Sequence, residues 1–227
     1  MTKLDSEAIN FSIYVKNNDT MNFSSDYQDQ FVLYYMDANC LEVSDSFYID
    51  IGAFDGQTKS NSKKLENGGM SGIVVEPNPE AFGKLKNNRQ AIARNIGLVQ
   101  SYNQNDRYRL IVSGEKGITS HLKIQSDLDT GSSSELVELL TVENFLREYK
   151  TLLSGYKFRY LSIDVEGLDV VLLKEFLVLN FSPELISIEH NHDKKAIKEI
   201  IKLANQYKYV IKLPGFFRNE FILVKTN

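Results

Sequence analysis

The chain has 227 residues, of which 42% are hydrophobic and 25% charged, and this balance suits one globular α/β domain with a core of ordinary size. The formal net charge of −4 offers no basic surface for nucleic-acid phosphates, so we expect no nucleic-acid partner. Cys40 is the only cysteine, which excludes an intramolecular disulfide and a multi-cysteine metal site, and we expect it to be buried as a small hydrophobe.

Membrane insertion is not expected, because the apolar stretches at residues 31–36 and 170–181 fall short of the roughly 20 residues that span a bilayer. The first residues mix charges and lack the apolar run of a secretory signal, so we predict a cytoplasmic protein. We expect an N-terminal helical extension at residues 1–46, packed on a main domain at residues 47–227.

The first predicted strand, at residues 47–51, ends in a turn that contains two glycines. The helix that follows this turn is predicted from Thr58 to Glu66. A second strand at residues 72–76 leads into a second helix, with Asn78 as its N-cap and Pro79 as its first residue. The first half of the chain therefore begins as two strand–helix units.

The middle of the chain carries weaker patterns. A third strand is predicted at residues 95–99, and residues 107–113 are predicted to form part of a hairpin. The segment at residues 101–134 has no clear periodicity, and we expect His121 within it to be structural.

Strands and helices alternate again after this segment, beginning with a helix predicted at residues 141–149. The last two strands are joined by a connection too short for a helical crossover, so they should pair antiparallel. We therefore expect an α/β fold with a mostly parallel seven-stranded sheet, an antiparallel last strand, helices on both faces and binding sites at the carboxyl ends of the strands. The strands predicted in this half lie at residues 160–164, 184–189, 209–213 and 221–225.

The turn after the first strand has the chemistry of a cofactor site. Gly52 and Gly56 allow close approach of a ligand to the backbone. Asp50 and Asp55 would bring two carboxylates to the position of a dinucleotide pyrophosphate, and like charges about 4 Å apart cost on the order of several kcal/mol. S-adenosylmethionine has no phosphate and carries a sulfonium and an ammonium, while Glu76 at the second strand end is suited to its ribose hydroxyls. The turn therefore predicts S-adenosylmethionine as the cofactor.

A second group of polar residues follows the fourth and fifth predicted strands, which should be neighbours. Asp164 and Glu166 end one strand, and Glu189 and His190 end the other. His190 is predicted to take a proton from an acceptor hydroxyl, with a carboxylate to orient it. Alternatively, a divalent cation such as Mg²⁺, held by Asp164 and Glu189, would lower the pKa of the acceptor. The sequence does not distinguish proton transfer by His190 from activation by a cation. His192 and Asp193 are expected to cap the next helix.

These motifs together resemble the FkbM family of S-adenosylmethionine-dependent methyltransferases over residues 27–191. The resemblance implies a Rossmann-like class I methyltransferase fold and methylation of a hydroxyl on a sugar, a glycan or a glycosylated natural product. It rests on Asp50-Ile51-Gly52-Ala53-Phe54-Asp55-Gly56, Ser60-Asn61, Leu65-Glu66, Gly72-Ile73-Val74-Val75-Glu76-Pro77-Asn78-Pro79, Tyr160-Leu161-Ser162-Ile163-Asp164-Val165-Glu166-Gly167 and Ile186-Ser187-Ile188-Glu189-His190-Asn191.

The resemblance also implies roles for individual residues. Thr58 or Asn61 would donate to the cofactor carboxylate from the first helical turn, and Asp164 would face the transferring methyl. Phe54 stands where many members carry Asn, and we expect it to pack against cofactor or substrate. Substrate choice is expected from residues 101–134. The residues expected at the cofactor are Asp50, Gly52, Ala53, Phe54, Gly56, Thr58, Asn61, Glu76, Pro77, Asn78 and Asp164; those expected in catalysis are Asp164, Glu166 and His190.

Two other functions are compatible with part of this pattern. An NAD-dependent sugar oxidoreductase would use Glu76 equally well, although Gly-x-Gly-x-x-Gly is absent. A non-catalytic Rossmann-like binding module would keep the sheet without the chemistry, although the retained acids argue against it. The acceptor, the choice between O- and N-methylation, metal dependence and the oligomeric state are not encoded in a recognisable pattern.

Overall fold

A computed structural model of the chain describes residues 3–18, 23–25, 27–100, 108–111, 121–124, 134–135, 137–213 and 216–226. The strands are β1 (Ser46–Ile51), β2 (Ser71–Val75), β3 (Ile92–Arg94), β4 (Gly97–Val99), β5 (Tyr108–Ile111), β6 (His121–Ile124), β7 (Ser134–Glu135), β8 (Leu139–Thr141), β9 (Phe158–Ile163), β10 (Leu185–Glu189), β11 (Tyr209–Lys212) and β12 (Glu220–Lys225). The helices are α1 (Lys3–Asn18), α2 (Gln28–Ala38), α3 (Lys63–Asn67), α4 (Pro79–Asn88), α5 (Val142–Leu153), α6 (Asp169–Val178) and α7 (Lys194–Gln206).

Seven strands form the central sheet in the order β11-β12-β10-β9-β1-β2-β3. β12 runs antiparallel to both of its neighbours, and the other pairings are parallel. This confirms the predicted α/β fold with an antiparallel last strand. The chain proceeds outward from β1 to β3 on one side and from β9 to β10 on the other, so β1 and β9 flank the switch point. Ligands of such sheets bind at the carboxyl ends of the strands beside that point.

The two faces of the sheet carry separate cores, as the alternation of side chains along each strand requires. Phe47, Ile49 and Ile51 pack with residues of α5, α6 and α7. Tyr48 belongs to the core on the opposite face, which α1 and α2 cover with aromatic and aliphatic side chains. Both faces of β1 are therefore buried, including the face that carries Asp50.

The third strand differs from its prediction at residues 95–99. β3 ends at Arg94, and residues 97–99 form β4, which pairs with β8 in a separate two-stranded sheet. The side-chain amide of Asn95 donates to the carbonyl oxygens of Glu76 at 2.8 Å and Pro77 at 3.1 Å. These bonds hold the chain at the end of the sheet, where it changes direction between the two strands.

The predicted hairpin around residues 107–113 is confirmed in its described part, where β5 pairs antiparallel with β6 and β7. The side chain of His121 and the rest of the 101–134 segment lie outside the described residues.

Helix ends follow the predicted capping chemistry. The Asn78 side chain accepts from the backbone N–H of Glu80 at 2.9 Å and of Ala81 at 3.3 Å, ahead of Pro79. Asp193 caps α7 in the same way, without the help expected from His192. None of the helices in the described ranges combines the length and apolarity needed to cross a bilayer.

The expectation that Cys40 is buried is wrong. Cys40 follows α2 in a turn, with a φ of 52° and an exposed side chain. The hydrophobic contacts of this helix are made by residues on its inner face, such as Phe31 and Met36.

Candidate active site

A cleft lies at the carboxyl ends of β1, β9 and β10, and it has a volume of about 120 Å³. It brings together nine residues predicted for cofactor, catalysis or metal: Asp50, Gly52, Ala53, Phe54, Thr58, Asn61, Asp164, Glu166 and Glu189. Five further predicted residues do not line it: Gly56, Glu76, Pro77, Asn78 and His190. It is also lined by residues for which the sequence predicted no role in the site: Ser25, Lys59, Ser60, Asn219 and Glu220.

Gly52 allows the turn to approach the end of β9. Its φ is +87°, and a Cβ at this position would lie 1.7 Å from the carbonyl oxygen of Asp164. The N–H groups of Gly52 and Ala53 both donate to the Val75 carbonyl oxygen at 3.0 Å. Only glycine fits this conformation and this close contact, so the turn holds β1, β2 and β9 together at the switch point.

Asp50 is only 3% exposed at the floor of the cleft. Burial raises the pKa of Asp50, while the nearby positive charge of Arg89 and a 2.5 Å hydrogen bond from Ser62 Oγ lower it. Ser62 Oγ in turn accepts from Arg89 Nη2 at 2.9 Å. The charge of this carboxylate is thus balanced from behind, on the side away from the cleft.

Arg89 organises the back of the turn, and sequence reasoning missed it. The buried guanidinium donates to the carbonyl oxygen of Gly56 at 3.3 Å and to Tyr48 Oη at 2.8 Å. It also pairs with Glu66 at 3.1 Å. No local sequence pattern signals this role, because the contacts join elements that are far apart in the chain.

Asp55 does not line the cleft, so the two carboxylates of the turn, Asp50 and Asp55, are not paired there as predicted. Its Oδ1 accepts from the backbone N–H groups of Gln57 at 2.9 Å and Thr58 at 2.7 Å, and its Oδ2 accepts from Thr58 Oγ1 at 2.7 Å. Burial raises the pKa of Asp55, but these hydrogen bonds outweigh it and the net shift is downward. Asp55 is a turn-forming residue, and the Thr58 hydroxyl is committed to it.

The helix predicted from Thr58 begins only at Lys63. Ser60 Oγ accepts from the N–H groups of Ser62 at 3.4 Å and Lys63 at 3.1 Å, which satisfies these donors outside a helix. Thr58 and Asn61 therefore precede the helix, and the prediction that they lie in its first turn is wrong. The Asn61 amide donates to Ser162 Oγ at 3.3 Å.

Glu76 lies behind the turn and is 6% exposed. Its carboxylate accepts from the N–H of Phe54 at 2.9 Å and the N–H of Asn78 at 2.7 Å. The pKa of Glu76 is raised to about 7, mainly by burial. The two hydrogen bonds oppose this rise, and the charge of Asp50 adds to it. Phe54, with a φ of 49°, lines the cleft itself.

Three acids meet on the β9 and β10 side of the cleft. Carboxylate oxygens of Asp164, Glu166 and Glu189 lie within 4.8 Å of one another. Burial is the main cause that raises the pKa of Asp164 and of Glu189, and the charges of the neighbouring acids add to it. A side-chain hydrogen bond joins Asp164 to Glu189, so the pair retains a proton near neutral pH.

Asp169 holds the loop that carries these acids, and sequence reasoning missed it as well. Its Oδ1 accepts from the N–H of Val165 at 3.0 Å, and its Oδ2 accepts from the N–H of Gly167 at 2.9 Å. Glu166 between them has a φ of 54°, which is unusual for a residue other than glycine. The loop is therefore fixed by a buried carboxylate at the start of α6.

His190 lies outside the cleft, in a neighbouring groove, and is 6% exposed. Burial is the main cause that lowers the pKa of His190, followed by the charge of His192. Its Nδ1 accepts from the N–H of His192 at 3.1 Å, so the proton of the neutral imidazole resides on Nε2. This geometry does not support the predicted role of His190 as a proton acceptor for a hydroxyl in the cleft.

The model of the methyltransferase FkbM domain matches residues 50–211. The chain belongs to this family. The match runs from the end of β1 into β11 and includes both groups of acids, and it makes the protein a methyltransferase rather than a sugar oxidoreductase. No curated protein matches the sequence significantly.

Several solved methyltransferases resemble this FkbM family member in structure. The human methyltransferase 10 domain containing protein is 12% identical, with a TM-score of 0.46 and coverage of 100% of this chain and 98% of that one. Magnesium protoporphyrin IX methyltransferase from Synechocystis PCC 6803 with bound SAM is 11% identical, with a TM-score of 0.42 and coverage of 97% and 92%. The O-methyltransferase from Bacillus cereus in complex with SAH is 11% identical, with a TM-score of 0.42 and coverage of 95% and 90%. Likenesses of this degree assign neither a substrate nor a cofactor to this chain.

Proposed function

We propose that this FkbM family member uses S-adenosylmethionine to methylate a hydroxyl of a small molecule, namely a sugar, a glycan or a glycosylated natural product. The observation that carries the proposal is the meeting of Asp50 with Asp164, Glu166 and Glu189 in one cleft at the switch point of the sheet. The family membership supports methyl transfer, and the charge of the cleft supports this cofactor.

The lining of the cleft fits a cationic cofactor without phosphate. Asp50 and the acids of β9 and β10 attract a sulfonium and an ammonium, whereas they repel a pyrophosphate. Gly52 lines the cleft without a side chain, because a Cβ there would collide with the Asp164 backbone at the end of β9. When bound, S-adenosylmethionine supplies an electrophilic methyl group.

The cleft is narrow for such a ligand. Its volume of about 120 Å³ is below the roughly 300 Å³ at the lower end of small-molecule pockets. Phe54 lines it, and the backbone of this residue is tied to Glu76. We therefore propose that Phe54 shifts when the cofactor binds, and that this shift brings Glu76 within reach of the ribose hydroxyls.

Asp164 is the residue best suited to take the proton from an acceptor hydroxyl. Glu189 shares its proton with Asp164, which leaves Asp164 as the anionic partner of the pair. A base whose pKa lies near neutral pH is deprotonated in much of the protein and still binds a proton well, as general base catalysis requires. Glu166, whose carboxylate completes the cluster, orients the hydroxyl.

Divalent cations bind carboxylate oxygens as well, so the same three acids could hold Mg²⁺. In that case the cation would lower the pKa of the hydroxyl and would replace the shared proton. A chelator separates the two mechanisms.

Transfer of a labelled methyl group from S-adenosylmethionine to a panel of hydroxylated glycans and natural products tests the proposal. We expect transfer by the wild-type protein, a loss of about 100-fold or more in Asp164→Asn, and full activity in the exposed control Glu80→Gln. Activity that survives a chelator supports the shared proton, and activity that depends on added Mg²⁺ supports the cation. Equal transfer by wild type and Asp164→Asn would contradict the role of Asp164, and tight NADH binding without any S-adenosylmethionine binding would reverse the assignment.

A further inference from the structure

A groove of about 910 Å³ adjoins the cleft on the side of β10 and β12. Ser25, Lys59 and Asn219 line both spaces, so a molecule in the groove reaches the opening of the cleft. Because Asp164, Glu166 and Glu189 line the cleft and not the groove, a bound molecule can present one end to them while the rest of it occupies the groove.

Aromatic rings form one wall of the groove. The centroids of His190 and Phe221 are 4.4 Å apart, and those of His190 and His192 are 5.6 Å apart. Phe217 adds a further ring to the lining. Such rings offer flat apolar surface beside a few polar groups, and the Nε2–H of neutral His190 is one such donor. This wall suits a ring-shaped molecule with hydroxyl groups.

Two cationic side chains, Lys59 and Arg218, line the same groove. The chain as a whole has a net charge of −4, so this local positive charge runs against the average of the surface. No ion pair in the described ranges engages Lys59. The backbone of Lys59 has a φ of 53° and pairs with Ser24 through an isolated β-bridge, which fixes the position of this residue beside the groove.

We propose that this groove binds the methyl acceptor, and that Lys59 and Arg218 select a hydroxylated ring that carries a carboxylate or a phosphate. The inference rests on the proposed methyltransferase function and adds the chemical class of the acceptor. This arrangement also orients the bound molecule. The anionic group of the molecule pairs with the cations of the groove, and the acids of the cleft repel that group and accept a hydrogen bond from the hydroxyl at the other end. Ser25, which precedes α2, lines the groove, and its neighbour Ser24 pairs with Lys59 through the backbone.

The test compares four probes of similar size in the presence of saturating S-adenosylhomocysteine: glucuronate, glucose 6-phosphate, methyl glucoside and glucosamine. Binding is measured by ligand-observed NMR and calorimetry in the wild type, Lys59→Gln, Arg218→Gln and the control Lys86→Gln, which changes an exposed lysine of α4. We expect at least one anion to bind about tenfold or more tightly than methyl glucoside, and either groove substitution to reduce this preference by about threefold or more. Lys86→Gln should keep the preference, and added salt should weaken it.

The two anions distinguish the carboxylate from the phosphate, and preference for either one supports the proposal. Equal binding of anionic and neutral probes, an anion preference that survives both groove substitutions, or no anion binding up to about 50 mM would overturn it. S-adenosylhomocysteine binding is measured first. If it is absent, the proposed function fails and this inference fails with it; if it is present and the anion preference is absent, the acceptor class alone is overturned.

Discussion

The backbone N–H of Phe54 donates a hydrogen bond of 2.9 Å to Oε2 of Glu76. This bond joins the turn after β1 to the residue after β2, so two motifs that are 22 positions apart in sequence form one structural unit. The same bond engages the Glu76 carboxylate, which is the group suited to accept hydrogen bonds from the ribose hydroxyls of the cofactor. Cofactor binding and rearrangement of the turn are therefore expected to be coupled.

Binding of S-adenosylmethionine should strengthen with pH because of Glu76. Burial raises the pKa of this residue to about 7, so it is largely protonated below that pH and ionised above it. The ionised form accepts hydrogen bonds from the ribose more strongly, and we expect affinity to rise about three- to tenfold between about pH 6 and pH 8. Calorimetry measures it. Glu76→Gln should bind more weakly and lose this pH dependence; an unchanged profile in Glu76→Gln would assign the titration to another group.

Phe54→Asn should improve cofactor binding. Asn tolerates the positive φ of 49° at this position better than most residues, and its smaller side chain widens the cleft. We expect the Kd for S-adenosylmethionine to fall by about threefold, with little change in stability. A Kd that rises instead would mean that the Phe54 ring contacts the bound cofactor favourably.

Gly52→Ala should abolish cofactor binding. A Cβ at this position would lie 1.7 Å from the Asp164 carbonyl oxygen, so β1 and β9 must separate at the site. We expect a loss of about 2 kcal/mol or more in the free energy of unfolding, measured by urea denaturation, and no binding in calorimetry. Gly83→Ala is the matched control, because a Cβ there meets nothing within 4 Å and helix α4 should gain about 0.5–1 kcal/mol. Equal behaviour of the two variants would contradict the close approach.

The acid cluster should make stability fall as pH rises. The folded state raises the pKa of Asp164 and Glu189, so it holds more protons than the unfolded chain above the ordinary carboxyl pKa. Their stabilising contribution is thus complete at low pH and is lost as pH rises through the raised values.

Glu189→Gln should remove part of this slope and raise the free energy of unfolding by about 1 kcal/mol at about pH 8. Urea denaturation across the pH range measures the effect, with Glu199→Gln on the exposed face of α7 as the control. A steeper loss of stability at high pH in Glu189→Gln than in wild type would contradict the shared proton.

Arg89→Met should destabilise the protein strongly. The substitution leaves Asp50 without its buried counter-charge, leaves Glu66 paired with Lys63 alone, and removes the donor to the Gly56 carbonyl oxygen. Loss of one partner of a buried ion pair costs about 3–5 kcal/mol. Thermal and urea denaturation should reveal this loss, whereas Arg147→Met on the exposed side of α5 should change stability by about 0.5 kcal/mol or less. A small effect at Arg89 would mean that the turn is held by its backbone bonds alone.

The strands, the helix caps and the glycine turn could be predicted because each depends on local patterns. The strand β1 is apolar on one face, Asn78 precedes Pro79, and Gly52 follows a buried strand. The start of α3 could not be predicted, since the Ser60 and Asp55 side chains compete for backbone donors that a helix would otherwise use.

Which residue of β10 reaches the cleft depends on which face of the sheet its side chain occupies. Ser187 pairs with Ser162, which pairs with Asp50, so these residues share one face of the sheet and Glu189 follows on that face. His190 is the next residue, beyond the strand, and it enters the neighbouring groove. Separating the roles of Glu189 and His190 requires the end of the strand to be known to within one residue. Sequence patterns do not give strand boundaries to that accuracy.

The binding of S-adenosylmethionine in the cleft is measured by calorimetric titration of the wild-type protein with this cofactor and, in parallel, with S-adenosylhomocysteine. We predict saturable binding of both, with a Kd below about 100 μM, and its loss in Gly52→Ala but not in Gly83→Ala. No binding of either molecule to the wild type at about 1 mM, or equal binding by both glycine variants, would contradict the assignment of the cofactor to this cleft.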